Sequence, residues 1–230
     1  MIYIYIVAMN IIQNRLDEYI SCFMNYIPKE KQLKLMRIKR REIILHSVCG
    51  QILLDYCLRT YFDKRYEDVE FGYGKWGKPY IKNMNNFFYN ISHSGDWVVC
   101  AVGHKELGID IEKIKDVKEN ISSKYFSEKE EYYLKNCYDR SDYIFRIWVL
   151  KEAYVKYLGK GLLFPLKNIS FSVPEESMLD SVMYNINFKE YLIDKRYRMA
   201  ACTIEKLPKN IEVINLNKII GELAWEKRWR

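Results

Sequence analysis

No two cysteines form a C-x-x-C pair, and only three histidines occur in 230 residues. A zinc site built on thiolate pairs is thereby excluded. No uninterrupted apolar run approaches the roughly 18 residues that a bilayer crossing needs, so the expectation is no membrane span. Ten glycines and five prolines are too few for a collagenous or linker-rich chain. Hydrophobic residues make up 49% and charged residues 29%, a globular balance that excludes disorder. At roughly 100–200 residues per domain, this is one large domain or two small ones. The apolar stretch Met1–Ala8 has neither the basic start nor the small-x-small cleavage site of a signal peptide. Its Ile and Tyr alternate, which predicts a buried first strand. Cys22, Cys49, Cys57, Cys100, Cys137 and Cys202 sit mostly within apolar runs. They read as buried, reduced thiols of a cytoplasmic protein.

Aromatics are abundant, with twenty Tyr and five Trp, and the net charge is +7. From Lys29 to Arg41 there are seven Lys or Arg against one acid, Glu30. This admits an anionic partner without naming it: nucleic acid, a nucleotide or an acidic protein would each serve.

The patterning predicts a strand at 1–8 and a helix at 12–26, ended by Pro28. A long helix follows at 29–60, basic in its first half, apolar in its second and open to a break. Residues 69–82 read as a Gly-rich loop with short extended pieces. Strands are expected at 87–91 and 97–102, joined through a tight turn Ser92-His93-Ser94-Gly95-Asp96, and again at 107–112. Helices are expected at 121–136 and 139–158, the second ended by Gly159 or Gly161. Strands at 168–173, 183–194 and 197–204 precede a polar tail. Trp97–Val102 resembles Arg198–Thr203 half a chain later, each after a strand and a turn. That echo suggests two related halves.

Four segments carry chemistry. In Gly108-Ile109-Asp110-Ile111-Glu112 the two acids lie at i and i+2 of a strand and face the same way, while both isoleucines face a core. Like charges so placed repel, and a cation between them relieves the repulsion. Oxygen ligands suit Mg²⁺. The alternative is a solvated edge strand with two acids. In the helix 139–158, Trp148, Glu152 and Lys156 share one face. Glu152 and Lys156 are either a surface ion pair or, since Trp148 argues for a covered face, a metal ligand and a phosphate donor. In Asn90-Ile91-Ser92-His93-Ser94, hydroxyls and an imidazole offer donors to an anion. Gly77-Lys78-Pro79 places a lysine where the backbone can approach a partner closely, or in an ordinary exposed turn.

Taken in order, G-K-P, N-I-S-H-S, G-I-D-I-E and W-x-x-K-E-A-x-x-K resemble the 4′-phosphopantetheinyl transferase superfamily, in its two-domain, surfactin synthetase-activating (Sfp) type. The resemblance spans roughly residues 1–205. It implies an α+β pseudo-dimer of two similar halves, 1–106 and 107–230, with the site in the cleft between them and the metal-binding acids on the second. It implies an Mg²⁺-dependent transfer of the phosphopantetheine arm of coenzyme A to a serine of an apo acyl or peptidyl carrier protein, with adenosine 3′,5′-bisphosphate leaving. Asp110, Glu112 and Glu152 resemble the metal ligands. Glu152, Lys156 and His93 resemble the catalytic set, with Lys156 on the pyrophosphate and Ser92 and His93 on phosphate oxygens. Lys78 and Pro79 resemble the segment along the nucleotide. Glu130 falls where the family has a further acid near the metal. The acceptor proton would go to Glu152, Glu130 or a metal-bound water.

The sequence departs from the family at one position. Where an Arg often holds the 3′-phosphate, His46 stands before Gly50, with Lys39 on about the same helical face and Lys31 nearby. The expected protein is a monomer, without nucleic-acid or membrane partners. Two other classes fit parts of the sequence: a magnesium-dependent nucleotide pyrophosphohydrolase, with water as acceptor, and a basic nucleic-acid binder. The second leaves the carboxylates unexplained, since acids on a binding face repel phosphate.

Overall fold

The computed structural model describes residues 1–8, 20, 24, 29–116, 121–161, 164–175, 177–215 and 219. In chain order it contains β1 (Ile2–Ala8), α1 (Lys29–Met36), α2 (Arg41–Phe62), β2 (Phe71–Tyr73), β3 (Pro79–Ile81), β4 (Phe88–Ser94), β5 (Trp97–Gly103) and β6 (Leu107–Lys113). Next come α3 (Ile121–Tyr125), α4 (Glu128–Asn136), α5 (Arg140–Leu158), β7 (Asp180–Met183), β8 (Ile186–Tyr191), β9 (Tyr197–Thr203) and β10 (Glu212–Val213).

The fold is α+β and built twice. Each half is a strand, a long helix and a hairpin: β1, α2, β4–β5, then β6, α5, β8–β9. The hairpin's second strand pairs antiparallel with the leading strand in both, giving the orders β1-β5-β4 and β6-β9-β8. The echo between Trp97–Val102 and Arg198–Thr203 is thus the same strand of each half, β5 and β9. β10 adds to the first sheet beside β1, and β7 to the second beside β8.

Each four-stranded sheet has both faces covered. Ile2, Ile4 and Ile6 of β1 and Val99 and Ala101 of β5 pack with Ile109, Ile111, Met199 and Ala201 of the second sheet. The opposite face of the first sheet, with Tyr5, Cys100 and Val102, packs on α2. Ala200, Cys202 and Phe188 pack on α5. Double coverage explains why Trp97–Gly103 is a continuous apolar run rather than an alternating one. Ile–Tyr alternation in β1 sends isoleucines to the sheet–sheet core and tyrosines toward α2, where Tyr3 stacks on Tyr61 at 3.7 Å.

Several expectations change. The long N-terminal helix, read as open to a break, divides at residues 37–40. The helix at 121–136 is two helices, because Ser127 starts a new one. The Ser127 side chain accepts from the Glu130 N–H at 3.3 Å, and the Glu130 carboxylate accepts from the Ser127 N–H at 2.8 Å. The strand at 183–194 is a hairpin, turning at Tyr184 and Asn185 with φ of 53° and 60°, the positive-φ pair that two-residue hairpins favour. The strand at 168–173 is absent: a 3₁₀ turn, Leu166–Asn168, leads into extended chain, and the Phe171 N–H bonds the Glu130 carboxylate instead of a neighbouring strand. The turn after β4 is only Gly95-Asp96, and Ser92, His93 and Ser94 are strand residues. Of the helix expected at 12–26, Ile20 and Met24 are helical, and the rest lies outside the described residues. Cys22 lies there too. Cys49, Cys57, Cys100 and Cys202 are buried, unpaired thiols, and Cys137 is partly exposed. Among the described residues no helix is long and apolar enough to cross a membrane.

Gly108 fixes how closely α5 lies on β6. A Cβ there would stand 1.9 Å from the Ala153 carbonyl oxygen and 2.5 Å from the Tyr157 nitrogen. Both are helix backbone, which cannot step aside as a flexible side chain would. Gly108→Ala should therefore lift α5 off the sheet and separate Glu152 from Asp110. The expected cost is about 1–3 kcal/mol in chemical denaturation, with a loss of activity beyond the unfolded fraction. Wild-type stability in that variant would contradict this packing.

Candidate active site

Two strand edges meet at the centre of the molecule, β4 from the first half and β6 from the second. Their join uses side chains as well as packing. Asn90 Oδ1 accepts from the Ile109 N–H at 2.9 Å, Ser92 Oγ from Ile111 N–H at 3.4 Å, and Ser94 Oγ from Lys113 N–H at 3.0 Å. Alternate residues of one strand thus satisfy alternate amides of the next, as strand periodicity allows. Ile109 and Ile111 turn into the core, fully buried, and Asp110 and Glu112 turn the other way.

Above this seam lies a cavity of about 250 Å³ lined by Ile91, Ser92, His93, Asp110, Glu112, Trp148, Glu152 and Lys156. The helix face expected to carry Trp148, Glu152 and Lys156 closes it. Lys156 Nζ donates to Asp110 Oδ1 at 2.6 Å and to Ser92 Oγ at 2.9 Å, and Ser92 Oγ donates to Asp110 Oδ1 at 2.8 Å. Ser94 Oγ donates to Glu112 Oε2 at 2.8 Å. Trp148 meets Tyr125 edge to face at 5.2 Å.

The electrostatics are crowded. Burial, and next the charge of Asp110, pushes the Glu152 carboxyl up to about 7, with Lys156 opposing and Glu112 adding. Burial and then Asp110 also raise Glu112. His93 is held down to about 4, first by burial, then by His46 and Lys156, so its imidazole is neutral at neutral pH. Among the described residues no three His, Cys, Asp or Glu side chains stand together as a formed metal cluster. What the site offers a cation is two buried carboxylate oxygens with no hydrogen-bond partner, Asp110 Oδ2 and Glu152 Oε1. Hard oxygen donors of this kind, beside a third carboxylate, fit a magnesium ion better than a thiophilic metal.

Other expected site residues stand elsewhere. His46 is 5% exposed and lies behind His93, with ring centroids 4.4 Å apart and planes 8° from parallel. Its Nε2–H donates to the Gly95 carbonyl at 2.8 Å. Lys39 lies in the exposed link between α1 and α2, not on the helix face that carries His46. Lys31 is in α1, and its side chain lies outside the described residues. Lys78 is committed to other partners, donating to Glu106 Oε2 at 2.5 Å and to the Leu107 and Tyr157 carbonyls at 3.2 and 3.1 Å. Three acceptors use all three ammonium protons. Pro79 begins β3 opposite Tyr73. Lys78 and Pro79 border a separate cavity of about 490 Å³ with Phe88, Tyr89 and Gly159.

Glu130 is the clearest correction. It is fully buried and does not line the central cavity. Its carboxylate takes the Ser127 and Phe171 N–H groups and pairs with Lys151 Nζ at 2.8 Å. Those bonds occupy it structurally, so it is no acceptor for a reaction proton. Ser94, expected as one of the hydroxyls offered to an anion, donates to Glu112 instead. The signal for this placement was the alternation Asn90, Ser92, Ser94, three polar residues on one face of a strand.

The sequence model of the 4′-phosphopantetheinyl transferase superfamily matches residues 106–202, and that of the 4′-phosphopantetheinyl transferase N-terminal region matches residues 14–105. A Bacillus subtilis protein named 4′-phosphopantetheinyl transferase is 31% identical over 185 residues, covering 78% of this chain and 83% of the relative. 4′-Phosphopantetheinyl transferase Sfp of Bacillus subtilis (strain 168) is 29% identical over 205 residues, 86% of this chain and 92% of that protein. 4′-Phosphopantetheinyl transferase gsp of Aneurinibacillus migulanus is 28% identical, covering 89% and 88%.

Proposed function

This chain belongs to the 4′-phosphopantetheinyl transferase superfamily, and from that premise we propose a magnesium-dependent transfer from coenzyme A to a serine hydroxyl of an apo acyl or peptidyl carrier protein. It is an enzyme of the Sfp type. The observation that carries the reading is the convergence of Asp110, Glu112, Glu152, Lys156, Ser92 and His93, from both halves, on one cavity.

In the reaction the serine oxygen forms a bond to the phosphorus that bears the pantetheine. The bond from that phosphorus to the bridging oxygen breaks, and adenosine 3′,5′-bisphosphate leaves. Little covalent chemistry falls to the protein, so positioning and charge dominate. Asp110, Glu112 and Glu152 are the residues that would hold Mg²⁺, whose charge, when bound, offsets their repulsion and that building on the pyrophosphate. Lys156, already aimed into the cavity, adds a cation for the phosphate oxygens. His93 is neutral and contributes one N–H. Ser92 holds Lys156 and Asp110 in register. Glu152, a carboxylate that lines the cavity, is the group assigned to receive the proton of the carrier serine.

Both halves line the cavity, so a single chain suffices for the site, consistent with a monomer. Buried, reduced thiols suit the cytoplasm. The test is product analysis. With coenzyme A, Mg²⁺ and an apo carrier, adenosine 3′,5′-bisphosphate should form only when the carrier serine is present. Release of that nucleotide with serine-to-alanine carrier would mean that water is the acceptor and the enzyme a hydrolase.

The 3′-phosphate contact separates this chain from its family's pattern. His46 is covered by His93, and its Nε2–H is already given to Gly95. The phosphate then falls to the basic residues between 29 and 41. His46→Ala should leave the preference for coenzyme A over dephospho-coenzyme A, as a ratio of kcat/KM, within about twofold. Lys39→Ala should narrow it about three- to tenfold, the worth of an exposed charge-assisted hydrogen bond. A collapse of the preference in His46→Ala would return the phosphate to that histidine.

A further inference from the structure

The Gly95-Asp96 turn, which follows His93 and Ser94, is held from both halves at once. From the first half, His46 Nε2–H donates to the Gly95 carbonyl at 2.8 Å. From the second half, the Tyr197 hydroxyl accepts the Asp96 N–H at 2.9 Å and donates to Asp96 Oδ2 at 3.2 Å. Arg196 stands 3.8 Å from the same carboxylate, but its side chain is 58% exposed. Tyr197 is 1% exposed and packed in the core between the sheets, so its hydroxyl is delivered from a rigid position. The fit is close: a Cβ on Gly95 would lie 2.4 Å from that hydroxyl. Gly95 also has φ of +52°, so glycine serves here both for its backbone and for its lack of a side chain.

The consequences run into the cavity. The carbonyl held by His46 orients the His46 ring, and that ring stacks flat on His93. A carbonyl only accepts, so Nε2 must carry the hydrogen, which fixes the tautomer of His46 whenever it is neutral. A turn fixed at Asp96 therefore fixes Gly95, then His46, then the plane of His93. Nothing else in the catalytic arrangement uses Tyr197, and it touches none of the residues lining the cavity by hydrogen bond.

We propose that Tyr197 is a positioning residue for the coenzyme A site, acting across the two halves through the Asp96–Gly95 turn and His46 on the placement of His93. The inference rests on the reading of His93 as a contact to a coenzyme A phosphate. The second half thereby contributes to binding on the first half's side of the cavity through an element 101 residues away in sequence.

Tyr197→Phe keeps the ring and its packing and removes only the hydroxyl. It should raise the KM for coenzyme A about three- to tenfold, the worth of one or two hydrogen bonds, with kcat changed less. In a His93→Ala background the same substitution should change KM by less than about twofold, because the effect passes through His93. Equal penalties in the two backgrounds would overturn the proposal, and so would an unchanged KM in Tyr197→Phe. An independent readout is the ¹⁵N-imidazole spectrum of the ligand-free protein. Wild type should show His46 with its hydrogen held on Nε2, and Tyr197→Phe should move that resonance toward tautomer averaging. An unmoved His46 resonance would overturn the proposal whatever the kinetics. If wild type failed to bind coenzyme A, the functional reading would fall, and the imidazole spectrum would still decide whether Tyr197 sets His46.

Discussion

Asp110→Asn should lower kcat/KM by about a hundredfold or more while leaving a folded protein. The side chain keeps its size, so Ser92 still has a partner. What it loses is the charge, and with it one of the two buried oxygens best placed for a cation. Losses of this order are typical when a metal ligand or a transition-state contact is removed. The fold survives because Asp110 is in part a source of strain: its charge is the second cause, after burial, that raises Glu152. Glu112→Gln and Glu152→Gln should behave alike. All three should recover part of the lost rate at high Mg²⁺, since a weakened site is filled by mass action. Any variant that keeps near wild-type rate at limiting Mg²⁺ removes its residue from the ligand set.

Lys151→Met should strongly destabilise the second half. Lys151 is fully buried, and its ammonium bonds Glu130 Oε2 at 2.8 Å and the Leu166 and Ile169 carbonyls at 2.7 and 2.6 Å. Burial lowers its pKa, and Glu130 works against that. Removing the cation leaves a buried carboxylate uncompensated and two carbonyls without a donor. Breaking a buried pair in this way costs about 3–5 kcal/mol, a large part of the roughly 5–15 kcal/mol that holds a domain folded. For a chain of this size the melting temperature should drop by roughly 6–20 °C. A melting temperature within about 2 °C of wild type would mean that the site relaxes and the tie is dispensable. The contrast with the neighbouring residue is instructive. In W-x-x-K-E-A, Lys151 turns into the protein and Glu152 into the cavity, because consecutive helical residues point about 100° apart. One motif thus carries a structural cation and a site carboxylate.

Much of the site was legible because its residues obey local periodicity. Asp110 and Glu112 share a strand face, and Trp148, Glu152 and Lys156 share a helix face, whatever surrounds them. The doubling of the fold showed in the match of β5 and β9, since both are central strands under the same helix-and-sheet cover. What the sequence did not reveal depended on partners distant in sequence. Glu130 looks like one more acid near the metal until Lys151, on another helix, claims it; only the Ser127-x-x-Glu130 capping pattern hinted at a structural use. Lys78 looks free in a glycine-rich loop until Glu106 and two carbonyls take its protons. Residues 168–173 have the composition of a strand, but a strand needs a neighbour's amides, and there the Glu130 carboxylate supplies the bond instead. His46 has the spacing of a phosphate ligand, and its burial behind His93 comes from the hairpin turn that no helical pattern reveals.

In the proposed reaction the serine of a carrier protein, not water, accepts the phosphopantetheine arm in this cavity. The most direct measurement is the intact mass of an apo acyl or peptidyl carrier after incubation with the enzyme, coenzyme A and Mg²⁺. Each carrier should gain one phosphopantetheine, and a chelator or Asp110→Asn should abolish the gain. Carriers of unchanged mass, across several acyl and peptidyl types and with coenzyme A hydrolysed in the same tubes, would contradict that transfer.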